Sequence, residues 1–205
     1  MKVLVIGGGG FLGSGITRKL IKEGNEVSIL GRKEYPEFKN LVNSIKADVR
    51  NRSDMVLAIK GQDVVFHTVS IPGIWGNYND YYLTDVKGTQ NIIYACLINN
   101  VKKLIYTSSP SVIFNGCDMN GVDENTPYPD KYLCHYSKTK AIAEKAVLAA
   151  NGSNNLATVC LRPHLIWGPG DPPLFPRLFN RSKNRKLFCV GKGENLVDMI
   201  YIDNA

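Results

Sequence analysis

The sequence predicts an α/β protein with a doubly wound parallel sheet. Three observations support this class: short apolar, β-branched runs alternate with segments of helical spacing, glycines separate the first run from the first helix, and the alternation starts at residue 2. Strands that alternate with helices imply parallel pairing through right-handed crossovers. The 205 residues suit one large domain, or one domain and the start of a second.

The alternation defines the elements in order. Short apolar runs predict six strands, at 2–6, 26–30, 44–47, 63–67, 103–107 and 156–162. Helical spacing predicts helices at 11–23, 53–60, 81–99 and 133–150, the second of them capped by Ser53. Residues 168–176 hold four prolines and two glycines, which predict a loop, and 196–202 predicts one more strand.

Composition excludes several classes of protein. With 44% hydrophobic and 21% charged residues, the chain is typical of soluble globular proteins rather than collagen-like, low-complexity or disordered ones. No apolar run approaches the roughly 18–20 residues of a membrane span, so we expect a cytoplasmic protein without one. The 5 cysteines are scattered, without metal-ligand spacing, and we expect no metal. The net charge of +7 is spread along the chain, which favours an anionic small molecule over nucleic acid.

The glycines after the first strand predict a phosphate-binding turn. They follow the spacing Gly7-x-x-Gly10-x-x-Gly13 or, starting one residue later, G-x-G-x-x-G. Such glycines permit a tight turn and a close approach of the backbone to a pyrophosphate, and the helix that starts at Phe11 and Leu12 offers unpaired N–H groups. We therefore predict a dinucleotide site at Gly7, Gly10, Phe11, Leu12 and Gly13. The alternative is a merely structural turn.

The end of the second strand favours NADP(H) over NAD(H). Sites for NAD usually place Asp or Glu there to hold the ribose hydroxyls, whereas this chain has Gly31 and then Arg32. The Arg32 guanidinium suits a 2′-phosphate; alternatively it is a solvated turn residue, and NAD(H) stays the second cofactor candidate. Asp48 and Val49, after the third strand, are candidates to contact the adenine, with a turn or helix cap as the alternative for Asp48.

Three residues are candidates for the reacting groups. Tyr136 and Lys140 are four residues apart on a predicted helix, so they share one face. A nearby ammonium lowers the pKa of a tyrosine, which suits the phenol to proton transfer, and Lys140 can also reach a nicotinamide ribose. Ser109 follows the fifth strand, where its hydroxyl can donate to a substrate carbonyl. The alternative for this serine is a polar loop that satisfies its own backbone.

These motifs together resemble the extended short-chain dehydrogenase/reductase family, in its 3β-hydroxysteroid dehydrogenase/isomerase-like branch. The matching segments run from end to end: GGGGFLG at 7–13, Asp48, DVVFHTVS at 63–70, GTQN at 88–91, YTSSPSV at 106–112, Tyr136 with Lys140, RP at 162–163, GPG at 168–170 and YIDN at 201–204. Within the branch, the segments at 30–36, 72–76 and 162–171 are most similar to bacterial reductases that act on 2-alkyl-3-oxoalkanoates.

The resemblance implies a division of the chain and a set of roles. Residues 1–163 would form a Rossmann NAD(P)-binding domain, and 164–205 the start of a truncated substrate-binding lobe. Ser109, Tyr136 and Lys140 would be the catalytic triad, and Val69 and Pro163 would contact the cofactor. Family members commonly form homodimers through two helices per subunit, which here are those predicted at 81–99 and 133–150.

Three positions depart from the family pattern. Val69 stands where the family usually has Ala, Asp85 where it usually has Asn, and Ile6 where Thr is common. These changes either weaken cofactor binding or are tolerated. Asp85 would be unfavourable beside a cofactor phosphate.

The candidates for substrate contact are Trp75, Ser111 and His164. Trp75 belongs to an apolar loop after the fourth strand, which forms either ordinary packing or one wall of a pocket. Ser111 lies in the loop after the fifth strand, and His164 follows the sixth. By contrast, His67 is expected to be a buried, hydrogen-bonded histidine rather than a metal ligand.

The function expected from these residues is NADP-dependent interconversion of a ketone and a secondary alcohol. The substrate would be small and hydrophobic, a 2-alkyl-3-oxoalkanoate or a 3β-hydroxysteroid-like compound. One alternative is a nucleotide-sugar epimerase or dehydratase that retains NAD, which the absence of a carboxylate at Gly31 disfavours. The other is a non-catalytic module that senses NADP(H), which the intact triad disfavours. Because the family's substrate lobe continues beyond the residues matched here, we expect a truncated chain of doubtful activity.

Overall fold

The structure is a computed structural model that describes residues 1–171, 174–189 and 191–205. The chain divides into two compact units, Met1–Arg162 and Pro163–Ala205. Within the described residues, no helix has both the length and the apolar composition needed to cross a bilayer.

Six parallel strands form the sheet of the first unit. They are β1 Lys2–Ile6, β2 Glu26–Gly31, β3 Asn43–Lys46, β4 Val64–His67, β5 Lys103–Thr107 and β6 Ala157–Leu161. Their order across the sheet is β3-β2-β1-β4-β5-β6, which is that of dinucleotide-binding sheets, with the winding reversed between β1 and β4. The predicted fold class is confirmed, and each strand end lies within one residue of its predicted position.

The central strands are buried on both faces. Leu4, Val5 and Ile6 of β1 are inaccessible to solvent, as are Val65 of β4 and Leu104 of β5. A strand covered by helices on both sides needs apolar side chains on both faces, which explains why these strands are continuous apolar runs in the sequence. Because all pairs are parallel, the carboxyl ends of the strands lie along one edge.

The helices of the first unit connect the strands. They are α1 Phe11–Lys22, α2 Arg52–Ile59, α3 Tyr78–Tyr81, α4 Gly88–Ile98 and α5 His135–Ala149. A π-helical turn, Tyr82–Lys87, joins α3 to α4. Short 3₁₀ turns occur at Pro36–Phe38, Pro110–Val112 and Ser153–Asn155.

Three helix starts differ from the prediction, those of α2, α3 and α5; the last begins at His135 rather than at residue 133. The prediction of Ser53 as the cap of α2 was wrong, because the Asn51 side chain accepts from the N–H groups of Ser53 and Asp54. Asn caps at least as well as Ser, and it stands two residues earlier. The helix predicted from residue 81 begins at Tyr78 because Asn77 caps it.

In its described residues, the second unit contains a small parallel pair of strands and one helix. β7 Leu165–Trp167 pairs with β8 Met199–Tyr201, a shorter strand than the 196–202 predicted, and β7 was not predicted. The loop predicted at 168–176 was wrong at its end, because α6 Leu174–Lys183 includes Pro176 in its first turn, where proline is tolerated. Pro172 and Pro173 of that segment lie outside the described residues.

Candidate active site

The glycine-rich turn joins β1 to α1 at the carboxyl edge of the sheet. Gly7 has a φ of +90°, which residues with side chains rarely adopt. A Cβ on Gly13 would collide with the Gly7 carbonyl oxygen, so the helix can approach the turn only without a side chain there. Gly10 is the N-cap of α1, and the first turn of that helix has no acidic residue. The N–H groups at the start of the helix, those of Phe11 and Leu12, are therefore suited to an anion.

A cleft of about 260 Å³ opens beside this turn. It brings together six of the residues predicted to bind the cofactor: Gly7, Gly10, Arg32, Asp48, Val49 and Val69. Its walls come from the glycine turn and from the segments at the carboxyl ends of β2, β3 and β4. This position, beside the reversal of winding, is where open parallel sheets bind dinucleotides, and the lining residues fit an adenosine with its pyrophosphate.

Tyr35 is a residue of this cleft that sequence reasoning missed. Its ring lies against Gly9 and Gly31, where an added Cβ would collide with it. Burial raises the pKa of Tyr35, and the nearby Arg32 guanidinium opposes that rise. The Lys33 ammonium lies 5.9 Å from the centre of the Tyr35 ring. The only signal in the sequence was an aromatic residue three positions after Arg32.

Asp48 forms a close ion pair with Arg50. The Arg50 guanidinium donates to both Asp48 oxygens, and the Nη2–Oδ2 distance is 2.6 Å. These hydrogen bonds hold the pKa of the Asp48 carboxyl below its usual range. The Arg50 backbone N–H also donates to Asp48 Oδ1 at 3.0 Å. Asp48 therefore shapes the turn after β3 and also lines the cleft.

Tyr136 and Ser109 meet at the carboxyl end of β5. Tyr136 lies in the first turn of α5, and the Ser109 hydroxyl is near enough to its side chain to oppose the rise that burial causes in the pKa of Tyr136. The Ser109 oxygen also lies 3.0 Å from Ser111 Oγ and accepts from the Ser111 N–H at 3.2 Å. Two hydroxyls placed in this way can hold one carbonyl oxygen and supply it with a proton.

Lys140 is buried in the interior of the first unit. Its side chain is only 1% exposed, its ammonium donates to the Thr107 carbonyl oxygen, and its Nζ lies 4.1 Å from the centre of the Tyr106 ring. Burial lowers the pKa of Lys140 to about 8, against the opposing effect of nearby carboxylates. The Lys140 side chain therefore changes between its charged and its neutral form at a pH not far above neutrality.

One electrostatic expectation differs from the structure. We expected Lys140 to lower the pKa of Tyr136, but that pKa is raised, first by burial, although the Ser109 hydroxyl opposes the rise. The reason is that a phenolate loses its hydration when it is buried, and the Lys140 ammonium is directed at the Thr107 carbonyl instead.

A buried ion pair that the sequence reasoning missed holds α5 to β6. Glu144 is inaccessible to solvent, and it accepts from the Arg162 guanidinium, with an Nη2–Oε1 distance of 2.6 Å, and from the Tyr128 hydroxyl. Burial would raise the pKa of Glu144, but these hydrogen bonds outweigh it and hold the pKa low. The available signal was a glutamate four residues after Lys140, on the same helix face.

The predicted substrate residues lie in different places. Trp75 is 88% exposed, and the Tyr81 hydroxyl donates to its carbonyl oxygen at 3.1 Å, which holds the apolar loop to α3. Ser111 lies beside Ser109, and their Oγ atoms are 3.0 Å apart. In the second unit, which begins at Pro163, His164 Nε2 lies 3.8 Å from an Asp198 carboxylate oxygen.

His67 is a core residue, as expected. It is fully buried, its Nε2 lies 2.9 Å from Thr89 Oγ1, and burial lowers its pKa to about 3, so the ring is neutral at ordinary pH. Across the part of the chain that the structure describes, no group of three or more His, Cys, Asp or Glu residues is placed to hold a metal ion.

The sheet order and the glycine cleft define a dinucleotide-binding protein of the Rossmann type, with a serine and tyrosine pair at the carboxyl edge of its sheet. Residues 4–205 match the sequence profile described as "3-beta hydroxysteroid dehydrogenase/isomerase family". The chain belongs to this family.

Relatives of known name include reductases and dehydrogenases. A 2-alkyl-3-oxoalkanoate reductase from Shewanella oneidensis is 46% identical over 208 residues, which cover 98% of this chain and 54% of that protein. The human sterol-4-alpha-carboxylate 3-dehydrogenase, decarboxylating, is 40% identical over 204 residues, again with 98% and 54% coverage. This chain therefore spans about half the length of these two relatives.

Solved structures with the same fold include sugar-nucleotide enzymes. The UDP-glucuronic acid 4-epimerase from Bacillus cereus, in complex with UDP-glucuronic acid and NAD, matches with a TM-score of 0.85 and 28% identity, over 99% of this chain and 70% of that one. MoeE5 in complex with UDP-glucose and NAD matches with a TM-score of 0.84 and 28% identity, over 98% and 68%.

Proposed function

We propose that the protein is an NADP-dependent oxidoreductase that interconverts a ketone and a secondary alcohol on a hydrophobic substrate. The observation that supports this most is the proximity of the Ser109 and Tyr136 side chains, on the same edge of the sheet as the glycine-lined cleft. The 46% identity to two proteins named 2-alkyl-3-oxoalkanoate reductase favours a β-keto acid of that kind as substrate.

A nicotinamide dinucleotide fits the residues around the cleft. The glycine turn and the N-terminus of α1 suit the pyrophosphate, and we propose that Asp48 and Val49, which line the same cleft, contact the adenine. Arg32 is exposed at the end of β2 and suits a 2′-phosphate, which is why we propose NADP(H) rather than NAD(H). When bound, this cofactor supplies or accepts the hydride.

Residues of the chain itself would donate the proton and bind the carbonyl oxygen. Because burial raises its pKa, Tyr136 holds its proton at neutral pH and can donate it to a carbonyl oxygen that gains negative charge. Ser109 donates a second hydrogen bond to the same oxygen and orients it. Lys140 would exchange the Thr107 carbonyl for the hydroxyls of the nicotinamide ribose, which places its positive charge beside the reacting groups.

Two further parts of the proposal concern the substrate pocket and the contact between subunits. The exposed Trp75 loop offers an apolar wall for the substrate, and we keep Ser111, Pro163 and His164 as further candidates for substrate and cofactor contact. We also propose a homodimer through α4 and α5, whose exposed faces carry Tyr94, Ile98 and Leu148. Light scattering of the purified protein tests the dimer.

Cofactor titration followed by turnover tests the proposed function. NADPH fluorescence is titrated with the protein, and a 2-alkyl-3-oxoalkanoate is then added while NADPH consumption is followed, with NADH in a parallel series. We expect NADPH to bind more tightly than NADH and to be consumed when the ketone is present. Because the chain spans about half the length of its named relatives, binding is scored separately from turnover. Failure to bind either cofactor would falsify the proposal.

A sugar-nucleotide epimerase or dehydratase is the second candidate, because the solved structures with this fold include NAD complexes of such enzymes. It predicts NAD that stays bound through purification and conversion of a UDP-sugar without net consumption of cofactor. The third candidate, a non-catalytic NADP(H) sensor, predicts tight NADPH binding and no turnover of any ketone or sugar nucleotide.

A further inference from the structure

A buried carboxylate joins the cofactor cleft to helix α5. Asp85 lies in the π-helical turn between α3 and α4 and is 1% exposed. Its Oδ1 accepts from the Ser70 hydroxyl at 3.0 Å and from the Ile71 N–H at 3.2 Å. Its Oδ2 accepts from the Thr139 hydroxyl at 2.9 Å. Both oxygens of this acid are therefore used, by donors from two separate segments of the chain.

These two segments are the two halves of the candidate site. Ser70 and Ile71 follow β4 and line the cleft. Thr139 lies on α5, directly before Lys140 and one helical turn after Tyr136. A single side chain, that of Asp85, therefore fixes the cleft wall relative to the helix that presents the reacting groups. Hydrogen bonds to a buried charge are among the stronger ones in proteins.

The charge of Asp85 acts on both residues to which we assign proton transfer. Burial lowers the pKa of Lys140, and the Asp85 carboxylate opposes this. The pKa of Tyr136 is raised by burial, and again by Asp85. In return, the Lys140 ammonium opposes the rise that burial causes in the pKa of Asp85. Asp85 therefore interacts electrostatically with both Lys140 and Tyr136, and the three groups are treated as one set.

Other titratable groups also face this set. They are His67 on β4, Tyr81 on α3, Tyr106 on β5, Cys134 before α5, Glu144 on α5 and Cys160 on β6. Burial keeps most of them uncharged near neutral pH: it lowers the pKa of His67 to about 3, raises that of Cys160 to about 12, and raises those of the two tyrosines. Glu144 stays ionised but is neutralised by its pairing with Arg162.

We propose that Asp85 is a positioning residue, whose carboxylate joins the cofactor cleft to α5 through Ser70 and Thr139 and provides a negative charge near Lys140. This inference rests on the proposed function, because it assigns the role of Asp85 through the residues to which we assign proton transfer. It also explains a departure from the family pattern: an amide at this position has the same shape, but it has no charge to hold an ammonium in a desolvated place. Asp85 does not itself line the cleft; it accepts hydrogen bonds from Ser70 and Ile71, which do.

The isosteric variant Asp85→Asn tests the charge while it keeps the shape. Lysine labelled with ¹³C at Cε is titrated by NMR, and the Lys140 signal is assigned with Lys140→Met. We expect the apparent pKa of Lys140 to fall from about 8 by at least about half a pH unit. The high-pH limb of NADPH-dependent ketone reduction should move to lower pH as well, because Lys140 and Tyr136 both lose their protons earlier. An unchanged Lys140 titration overturns the inference.

Asp63→Asn is the matched control. It removes an exposed carboxylate that pairs with Lys102 at 2.9 Å, away from the set around Lys140. We expect it to leave the Lys140 titration and the pH profile unchanged. If it shifts them as far as Asp85→Asn does, general electrostatics rather than position accounts for the effect and the inference fails.

Stability separates this role from a merely structural one. Because burial raises the folded-state pKa of Asp85, its contribution to stability is present below the unfolded-state pKa and lost as pH rises through the folded value. Asp85→Asn should therefore unfold at no lower urea concentration than the native chain at neutral pH. An earlier midpoint with an unshifted Lys140 signal would mean that Asp85 only supports the fold. The titration needs no turnover, so loss of the proposed function and loss of this inference give different results.

Discussion

The two halves of the candidate site are built in opposite ways. The cofactor cleft is open and depends on the absence of side chains, at Gly7 for its φ and at Gly13 for the close approach of α1. The region around α5 is closed and depends on charged side chains, with Lys140 and Glu144 both buried. The first offers backbone N–H groups to the proposed cofactor, whereas the second contains groups whose pKa values are shifted by burial and by hydrogen bonds.

This difference determines how each half responds to mutation. In the cleft, we expect substitutions that add atoms to reduce stability and binding, because the backbone must approach its neighbours and a ligand closely. A change of charge there has little effect on stability, since water screens exposed groups. Around α5, we expect substitutions that remove one member of a buried ion pair to reduce stability, because the charge that remains has no access to water. Four substitutions test this contrast.

Tyr136→Phe should have the largest effect. Removal of the proton donor is expected to reduce ketone reduction by about 10²–10⁴-fold and to leave NADPH binding unchanged, because the cleft does not depend on this hydroxyl. Steady-state kinetics and NADPH fluorescence titration measure the two effects. Tyr132→Phe, at a half-buried tyrosine just before α5, is the control and should keep its activity. Turnover that survives in Tyr136→Phe would refute the assigned donor.

Glu144→Gln should be the most destabilising of the four. It leaves the Arg162 guanidinium without its buried carboxylate, and the free energy of unfolding should fall by about 3–5 kcal/mol. Urea denaturation measures this, and Glu124→Gln at an exposed position should change almost nothing.

The pH dependence of this difference follows from the sign of the pKa shift. Because its folded-state pKa is lowered, Glu144 contributes stability that is present above its unfolded pKa of about 4.3 and is lost as pH falls through the folded value. The stability gap between the native chain and Glu144→Gln should therefore narrow in acid. A gap that stays constant with pH would contradict the ionised pair.

Gly13→Ala tests the opposite kind of vulnerability. The new Cβ meets the Gly7 carbonyl oxygen, so α1 must move away from the turn, at a cost of about 1–3 kcal/mol in stability. NADPH binding should weaken as well, because the same helix N-terminus faces the pyrophosphate. Ser14→Ala places the same residue one position later and is the control. Equal effects of the two variants would show that the close approach does not matter.

Arg32→Ala should have the smallest effect on the fold and a selective one on binding. Loss of one charge-assisted hydrogen bond predicts about a tenfold weaker Kd for NADPH and an unchanged Kd for NADH. The free energy of unfolding should change by less than about 0.5 kcal/mol, because the side chain is exposed. Lys33→Ala, next to it, is the control. Equal weakening of both cofactors would argue against a 2′-phosphate site.

Contiguous patterns were the part that could be predicted. The six strands of the first unit were located to within one residue because a strand buried on both faces is a continuous apolar run between breakers. The glycine turn was also predictable, since its residues follow one another in the chain. Errors arose where the local signal was ambiguous. Two possible caps precede α2, and Asn51 rather than Ser53 is the cap. Proline occurs both in loops and in the first turn of a helix, and Pro176 lies inside α6.

The α/β class, the parallel sheet and the position of the phosphate-binding turn were determined by the sequence alone, because each depends on short-range periodicity. Only the tertiary structure decided that Tyr35 covers Gly9 and Gly31, and that Asp85 joins Ser70 to Thr139. It also decided the direction of the pKa shift at Tyr136. The physical reason is that such contacts join residues far apart in the chain, and the extent of burial depends on everything packed around a group.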